Sequence, residues 1–185
     1  GDNLVVFALA GMGARVTSVD ISENQLAVAR QRAEELGLSI QFVRSDVCDL
    51  SALDAGSFDL IYTGGHIAIW VSDLRKFYCE ATRILKPGGL LVVSEYHPFR
   101  RIWKATKDRL ELESDYFHRG PYSYDVPGGK GHEFQWTFGD YITAVMDAGC
   151  ELLAVEEFGG GSDGDWELAP VAGLPRVLLV VGRKR

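Results

Sequence analysis

The spacing of apolar and polar positions along the chain predicts short strands that alternate with helices. Ser22 begins a helix, Gln25 is placed to complete a capping box, and apolar positions recur every three or four residues until Gly37. The run from Leu90 to Ser94 is typical of a parallel strand that is buried on both faces. The run from Leu4 to Ala10 is wholly apolar, and periodicity alone leaves it open between a helix and a buried strand.

The same reasoning extends over the rest of the chain. The predicted strands are Arg15–Val19, Ile40–Arg44, Phe58–Tyr62, Leu90–Ser94, Glu151–Phe158 and Val177–Val181. Glu133–Trp136 is either a further strand or an extended lead-in to the helix that follows. Ser72 is predicted to cap a further helix, with an apolar stripe from Leu74 to Leu85, and another helix is predicted over about Asp140–Ala148. Strands that alternate with helices indicate an α/β fold with a parallel sheet between two layers of helices.

The alternation stops between Tyr96 and about Gly131. Irregular segments of this length are uncommon in compact domains and usually have a function. The segment contains basic residues from Arg100 to Arg109, which could bind an anion or RNA or could be a solvated face. It also contains aromatic residues that could line an acceptor pocket or form a small satellite core: Trp103, Tyr116, Phe117, Tyr122 and Tyr124.

Length and composition narrow the classes of protein. The 185 residues suit one domain, and 46% hydrophobic residues suit a globular protein. The net charge of −7 disfavours general nucleic-acid binding. No segment has the length of a membrane span or the pattern of a signal peptide. The three cysteines have no paired spacing, so we expect no metal cluster and no disulfide framework, and a cytoplasmic protein.

Candidate binding residues follow three successive predicted strands. Asp20 follows the first, Asp46 the second, and Thr63-Gly64-Gly65 the third. Ligands of parallel sheets bind at the carboxyl ends of strands, where a carboxylate can accept hydrogen bonds from both hydroxyls of a ribose or from an exocyclic amine. Each Asp could instead be a helix cap or a turn residue. Three such tips together favour a nucleotide-like ligand.

Two histidines also follow predicted strand ends. His66 and His97 could each act as a general base, because imidazole titrates near neutral pH. Each could equally position a substrate or be structural. Glu95 and Tyr96, beside His97, have the same alternatives.

Four segments of the chain together resemble a known family. They are Arg15–Ser22, Ser45–Leu50, Ser57–Tyr62 and Leu85–Leu91, the last with its Lys-Pro-Gly-Gly turn. In order and spacing they look like the successive motifs of class I S-adenosylmethionine-dependent methyltransferases. The resemblance covers about Gly1 to Glu95, and it is looser beyond.

The resemblance implies a Rossmann-like three-layer sandwich. Its seven-stranded, mostly parallel sheet would have an antiparallel last strand between the fifth and sixth. We expect one methyltransferase domain over residues 1–185, with an inserted lid-like segment at about 97–132. In this alignment Gly1 is the last glycine of the cofactor loop and the first strand is missing, so we predict that the natural protein has an additional amino-terminal segment.

The resemblance also assigns cofactor contacts. Asp20 would hold the ribose of S-adenosylmethionine, Asp46 would contact the adenine amine, and Thr63 and Gly64 would lie under the methionine part. The full set of expected cofactor residues is Gly1, Asp20, Ile21, Asp46, Val47, Thr63 and Gly64. No metal is expected.

The implied reaction is direct displacement of the methyl group by a small-molecule acceptor, with S-adenosylhomocysteine as product. The leaving group is a neutral thioether, so alignment of two ligands matters more than acid catalysis. A non-catalytic module that binds S-adenosylmethionine is the alternative, followed by an NAD-dependent Rossmann dehydrogenase, against which the Lys-Pro-Gly-Gly turn argues. The sequence leaves open the acceptor, the methylated atom, the use of a base and the oligomeric state.

Overall fold

The computed structural model describes residues 4–105, 109–126, 128–159 and 173–185. Gly1 lies outside these residues, as does most of the glycine-rich stretch before Pro175. The chain forms two compact units, residues 1–54 and residues 55–185. Each unit is described by itself.

The first unit is a two-stranded parallel sheet with two helices. Its elements are α1 (Leu4–Gly11), β1 (Val16–Asp20), α2 (Glu23–Glu35) and β2 (Ile40–Arg44). The ambiguous apolar run is therefore a helix, and its Phe7 packs with Ala29 and Ala33 of α2. The strands pair in register from Val16 with Ile40 to Asp20 with Arg44, so their carboxyl ends coincide.

The predicted start of α2 is confirmed in part. The Ser22 hydroxyl accepts a hydrogen bond from the backbone N–H of Gln25 at 3.3 Å, as expected of an N-cap. The second half of the capping box is wrong, because the backbone N–H of Ser22 donates to Oδ1 of Asp20 at 2.8 Å instead.

The second unit is built on a four-stranded sheet. Its main elements are β3 (Phe58–Gly64), α3 (Leu74–Ile84), β4 (Leu85–Tyr96), α4 (Phe138–Asp147), β9 (Cys150–Gly159) and β10 (Pro175–Lys184). The strand order is β3-β4-β10-β9, with β3 parallel to β4 and β10 antiparallel to both of its neighbours. This confirms an α/β fold whose last strand, β10, is antiparallel and lies between β4 and β9.

One cap and one turn refine the second unit. The cap of α3 is Asp73 rather than Ser72, since Oδ1 of Asp73 accepts from the backbone N–H of Lys76 at 2.9 Å. The Lys-Pro-Gly-Gly turn interrupts the pairing of β3 with β4, and Gly88 has a φ of 77° there. A left-handed residue at this point of the turn favours glycine.

The segment predicted to be irregular contains two hairpins. A short 3-10 helix (Pro98–Ile102) leads to β5 (Trp103–Ala105) and β6 (Leu110–Leu112), and then β7 (Tyr122–Val126) pairs with β8 (Gly129–Glu133). Of the two alternatives for Glu133–Trp136, the strand is wrong beyond Glu133, where β8 ends, and residues 134–137 lead into α4 without regular structure. Residues Ser123 to Val126 of β7 are exposed, so this hairpin has no buried face to generate an alternating pattern.

The implied single sheet appears as two sheets in the described ranges. There, β1 pairs with β2 alone, and the β3 edge of the larger sheet pairs with β4 alone. In the described ranges, the strands of each unit therefore pair only with strands of the same unit. The additional amino-terminal segment, the single domain and the lid-like role of residues 97–132 stay predictions.

Candidate functional site

The first unit places two expected cofactor residues at one edge. Asp20 ends β1 and Asp46 follows the end of β2, and the backbone N–H of Ser45 donates to the carbonyl oxygen of Asp20 at 3.1 Å. Parallel pairing puts both carboxylates at the carboxyl end of the same two strands. That is the edge where open α/β sheets bind ligands.

Both carboxylates also stabilise local turns. Oδ1 of Asp20 accepts from the backbone N–H of Ser22, and Oδ1 of Asp46 accepts from that of Cys48, each at 2.8 Å. These contacts are Asx-turns, so the turn alternative holds for one oxygen of each residue. The turns also fix the orientation of both side chains.

The neighbours of the two carboxylates differ in exposure. Ile21 is 64% exposed and its carbonyl oxygen accepts from Nε of Arg44 at 3.3 Å, while Val47 is half-buried. The edge thus combines two hydrogen-bond acceptors with an accessible apolar side chain. That set suits hydroxyl and amine donors on a ligand that also has an apolar face.

Thr63 and Gly64 end β3 in the second unit. The Thr63 side chain is buried, so it belongs to the core. A side chain at position 64 would collide with the carbonyl oxygen of Ser94 and would lie 2.6 Å from the Tyr62 hydroxyl. Close packing within the sheet is thus sufficient to require glycine at position 64.

His66 follows in a strained backbone conformation. Its φ is 75°, in the left-handed region that costs a non-glycine residue about 1–2 kcal/mol. Its ring contacts the Tyr96 ring edge-on, with centroids 4.4 Å apart. Nε2 is buried and has no hydrogen-bond partner in the part of the chain that the structure describes.

The surroundings of His66 keep its ring neutral. Burial, aided by the positive charges of Arg101 and Arg100, lowers the pKa of His66 to about 4, although Glu133 opposes the shift. A neutral imidazole with an unused nitrogen can accept a hydrogen bond from a ligand. With so low a pKa it is a weak base, which favours the positioning alternative over general-base catalysis.

His97 is held on both sides of its ring. Nδ1 accepts from the backbone N–H of Phe99 at 3.2 Å, and Nε2 lies 2.7 Å from Oε1 of Glu157. Burial lowers the pKa of His97, and Glu157 opposes that shift. Both nitrogens serve contacts within the protein and His97 caps the 3-10 helix, which supports the structural alternative.

A small cavity joins segments that are far apart in sequence. Its walls are His66, Ile69, Tyr96, His97, Pro98, Arg101, Phe134, Gln135, Trp136 and Tyr141. Arg101 pairs with Glu133, and the guanidinium carbon of Arg100 lies 4.1 Å from the centre of the Tyr96 ring. The cavity volume of about 20 Å³ holds about one water molecule, so the cavity is far smaller than the ~300–1,000 Å³ of typical small-molecule sites.

The sequence pattern identified these walls only in part. Arg101 belongs to the basic run singled out above, but Trp136 carried no functional signal. The five aromatic residues proposed for an acceptor pocket do not line this cavity. Among them, Tyr116 packs between Phe99 and Phe117, as in the satellite-core alternative.

A carboxyl group lies buried near the cavity. Glu95 is 1% exposed, and neither of its carboxyl oxygens has a hydrogen-bond partner in the described ranges. Burial raises its pKa from 4.5 to about 8, although the backbone N–H groups of Ala68, His66 and Ile67 oppose this. Burial also raises the pKa of Tyr78 and of Tyr141, and each is raised further by Glu95. The Glu95 carboxyl group and both tyrosine hydroxyl groups are therefore uncharged near neutral pH.

Two classes of feature are not found in the described ranges. No group of three or more His, Cys, Asp or Glu side chains there could hold a metal ion. None of the helices in those ranges has the length and apolar character to cross a membrane.

Comparison with known proteins identifies the family. The family model described as a methyltransferase domain matches residues 1–93. A sterol 24-C-methyltransferase of Gibberella zeae is 28% identical over 172 residues, which are 92% of this chain and 42% of that protein. An uncharacterized methyltransferase of Bacillus subtilis is 32% identical over 167 residues, and the match covers 83% of this chain and 64% of that protein. The chain therefore spans less than two thirds of either relative.

Solved structures agree with this comparison. An S-adenosylmethionine dependent methyltransferase from Mesorhizobium loti aligns with a TM-score of 0.67 and 27% identity, covering 92% of this chain and 80% of that one. This likeness confirms the Rossmann-like α/β fold. With half of its residues matched by the family model, the chain belongs to the methyltransferase-domain family, as its resemblance to class I S-adenosylmethionine-dependent methyltransferases implied.

Proposed function

We propose that this chain transfers a methyl group from S-adenosylmethionine to a small-molecule acceptor. The observation that carries the proposal is the family match over residues 1–93, which includes Asp20 and Asp46. Their carboxylates lie at the carboxyl end of paired strands and suit the hydroxyl and amine donors of the cofactor. The relative's printed name, a sterol methyltransferase, agrees with a small acceptor.

The cofactor would supply an electrophilic methyl group on a sulfonium. The carbon–sulfur electron pair stays on sulfur, so the product is S-adenosylhomocysteine and no acid is needed. In the proposal, Asp20 with Ile21 binds the ribose, and Asp46 with Val47 binds the adenine. Residues 63 and 64 contribute through the backbone, because the Thr63 side chain is buried in the core.

We propose that the reacting hydroxyl or amine of the acceptor, rather than the whole molecule, enters the cavity beside His66. The neutral ring presents an unpartnered Nε2, which can accept a hydrogen bond from an acceptor hydroxyl or amine. Binding and orientation would then be the main contribution of these residues to the rate. The three free thiols, Cys48, Cys79 and Cys150, further support a reducing compartment, so we place the protein in the cytoplasm.

Binding and turnover separate this proposal from its alternatives. Calorimetry on the full-length protein with S-adenosylmethionine, S-adenosylhomocysteine and NAD should show binding of the first two. Binding of NAD alone would instead support a dehydrogenase. A labelled-methyl screen against metabolite pools should then show transfer, whereas cofactor binding with no labelled product would support a non-catalytic module.

A further inference from the structure

A row of rings leads from the cavity beside His66 to the protein surface. His97 lines the cavity, and the centroid of its ring lies 5.3 Å from that of Phe99. The Tyr116 ring follows at 5.0 Å from Phe99, and the Phe117 ring at 5.2 Å from Tyr116. We call Phe99, Tyr116 and Phe117 the aromatic row. It continues one wall of the cavity outward.

The row opens to solvent with distance from the cavity. His97 is 1% exposed, Phe99 is 38% exposed and Phe117 is 71% exposed. The contacts within the row are those of a small core, but its outer end is not covered by the described part of the chain. A contiguous exposed apolar surface, unlike a scattered apolar side chain, can mark a ligand-binding groove.

Hydrogen bonds fix the middle of the row against the cavity. The backbone N–H of Phe138 donates to the Tyr116 hydroxyl at 2.8 Å. Gln135 is a second wall of the cavity, and its Nε2 donates to the carbonyl oxygens of Asp115 and Tyr116 at 3.3 and 3.2 Å. A surface held in this way loses little conformational entropy when a ligand binds.

The cavity is too small for a whole acceptor molecule. Its volume of about 20 Å³ admits one polar group, beside the unpartnered Nε2 of His66. The rest of the acceptor therefore lies outside, and the aromatic row is an apolar surface that adjoins two of the cavity walls. Apolar atoms of a ligand gain free energy when they leave water for such a surface.

Charge and area argue against a membrane or a second copy of this chain as the occupant. The exposed Asp115 precedes Tyr116 and the net charge of the chain is −7, which disfavours an anionic bilayer. An aromatic side chain buries about 150–250 Å² at most. Three that are already partly covered supply less than the ~800 Å² that each partner of a stable protein complex buries.

We propose that the aromatic row binds the apolar tail of the methyl acceptor. The acceptor class is then amphipathic, with one reacting hydroxyl or amine joined to an extended hydrocarbon or aromatic tail. His66 binds the polar end, and the row selects acceptors by the length of the tail. Because this acceptor belongs to the proposed methyl transfer, the assignment rests on the proposed function.

Linear primary alcohols test both ends of this site in the full-length protein. Hexan-1-ol and octan-1-ol have the same hydroxyl on tails that differ by two CH₂ groups. NMR titration that follows the His66 and Phe117 ring signals gives both the affinity and the location. Octan-1-ol should bind about 4- to 15-fold tighter, which corresponds to half to full burial of the added CH₂ groups.

Two substitutions test the row itself. Phe117→Ser removes its exposed end and should weaken octan-1-ol binding by about fivefold, with a smaller effect on hexan-1-ol. Leu112→Ser is the matched control, since Leu112 is 65% exposed on β6 outside the row, and both affinities should stay native.

Four results would overturn the proposal. Equal affinities for the two alcohols would show that no tail is bound, and equal losses in the two variants would show general surface hydrophobicity. Shifts of Phe117 without shifts of His66 would show that the row is not joined to the cavity. A dimer in sedimentation equilibrium that Phe117→Ser dissociates would assign the row to a second copy of the chain.

A further measurement keeps the two proposals apart. Calorimetric binding of S-adenosylmethionine to the same samples tests the methyltransferase assignment, and it should be equal in the native chain and both variants. Absent binding with the expected dependence on tail length would refute the function but keep the row as a site for amphipathic ligands. Normal binding with no dependence on tail length would do the reverse.

Discussion

Replacing Glu95 by glutamine should make the second unit more stable, by an amount that increases with pH. In the folded protein burial raises the pKa of Glu95 from 4.5 to about 8. Between these values the folded state binds a proton that the unfolded state has released. Stability therefore falls as pH rises through this window, and glutamine, which does not titrate, removes the loss.

The size of the effect follows from the same pKa. Each pH unit within the window corresponds to about 1.4 kcal/mol, so the glutamine variant should gain about 3 kcal/mol at pH 7 relative to pH 4. Above pH 8 the gain should level off at about 5 kcal/mol. The groups that act on Glu95 from α3 and α4, Tyr78 and Tyr141, have their own pKa raised and stay neutral over this range.

Other groups titrate in the window but cancel in the comparison. The pKa of His66 is lowered to about 4, so its contribution to stability increases as pH rises from about 4 to 6.5, opposite in sign to Glu95. The same direction holds for His97, whose pKa burial also lowers. Both histidines are present in the native chain and in the variant, so their contributions cancel in the difference between the two free energies of unfolding.

Urea unfolding at pH 5, 6, 7 and 8 measures the difference. All four Trp residues lie in the second unit, so Trp fluorescence reports its unfolding. Glu156→Gln is the matched control, since Glu156 is exposed on β9. The difference in free energy of unfolding between this variant and the native chain should not change with pH. A Glu95→Gln difference that stays within about 1 kcal/mol over the whole range would refute the reasoning.

Three further substitutions test the site and its supports. Asp20→Asn keeps the turn at α2 but removes the charge, so calorimetry should show S-adenosylmethionine affinity weakened by about tenfold or more, and equal affinity would reject the ribose assignment. Gly64→Ala should reduce the free energy of unfolding by about 1–3 kcal/mol and so lower the urea midpoint, because the new methyl group collides with the adjacent strand. Gly139→Ala is the control, since its new Cβ lies 3.8 Å from its nearest neighbour and should leave the midpoint unchanged. Equal midpoints for the two variants would contradict the packing argument. His97→Phe leaves the Phe99 N–H without its partner and should reduce the free energy of unfolding by about 1–3 kcal/mol; unchanged stability together with lost turnover would restore the catalytic interpretation.

Local interactions explain why much of the fold was accessible from the sequence. The start of α2 depends on Ser22 and the backbone three residues on, and the strands that end at Asp20 and Gly64 depend on short β-branched or apolar runs. Such signals need only neighbouring residues. The run at residues 4–10 has no period, so periodicity left it open, and the structure shows a helix whose Phe7 packs against α2.

The sequence by itself determined the order of strands and helices, the family, and the two carboxylates that follow β1 and β2. Only the tertiary structure decided what the histidines can do. Burial and two guanidinium groups keep His66 neutral, while Glu157 and the Phe99 N–H occupy the ring of His97. Burial likewise raises the pKa of Glu95, which no local pattern indicated. Titration and hydrogen bonding depend on what surrounds a side chain in space, and those surroundings come from segments too distant along the chain for any local pattern to record.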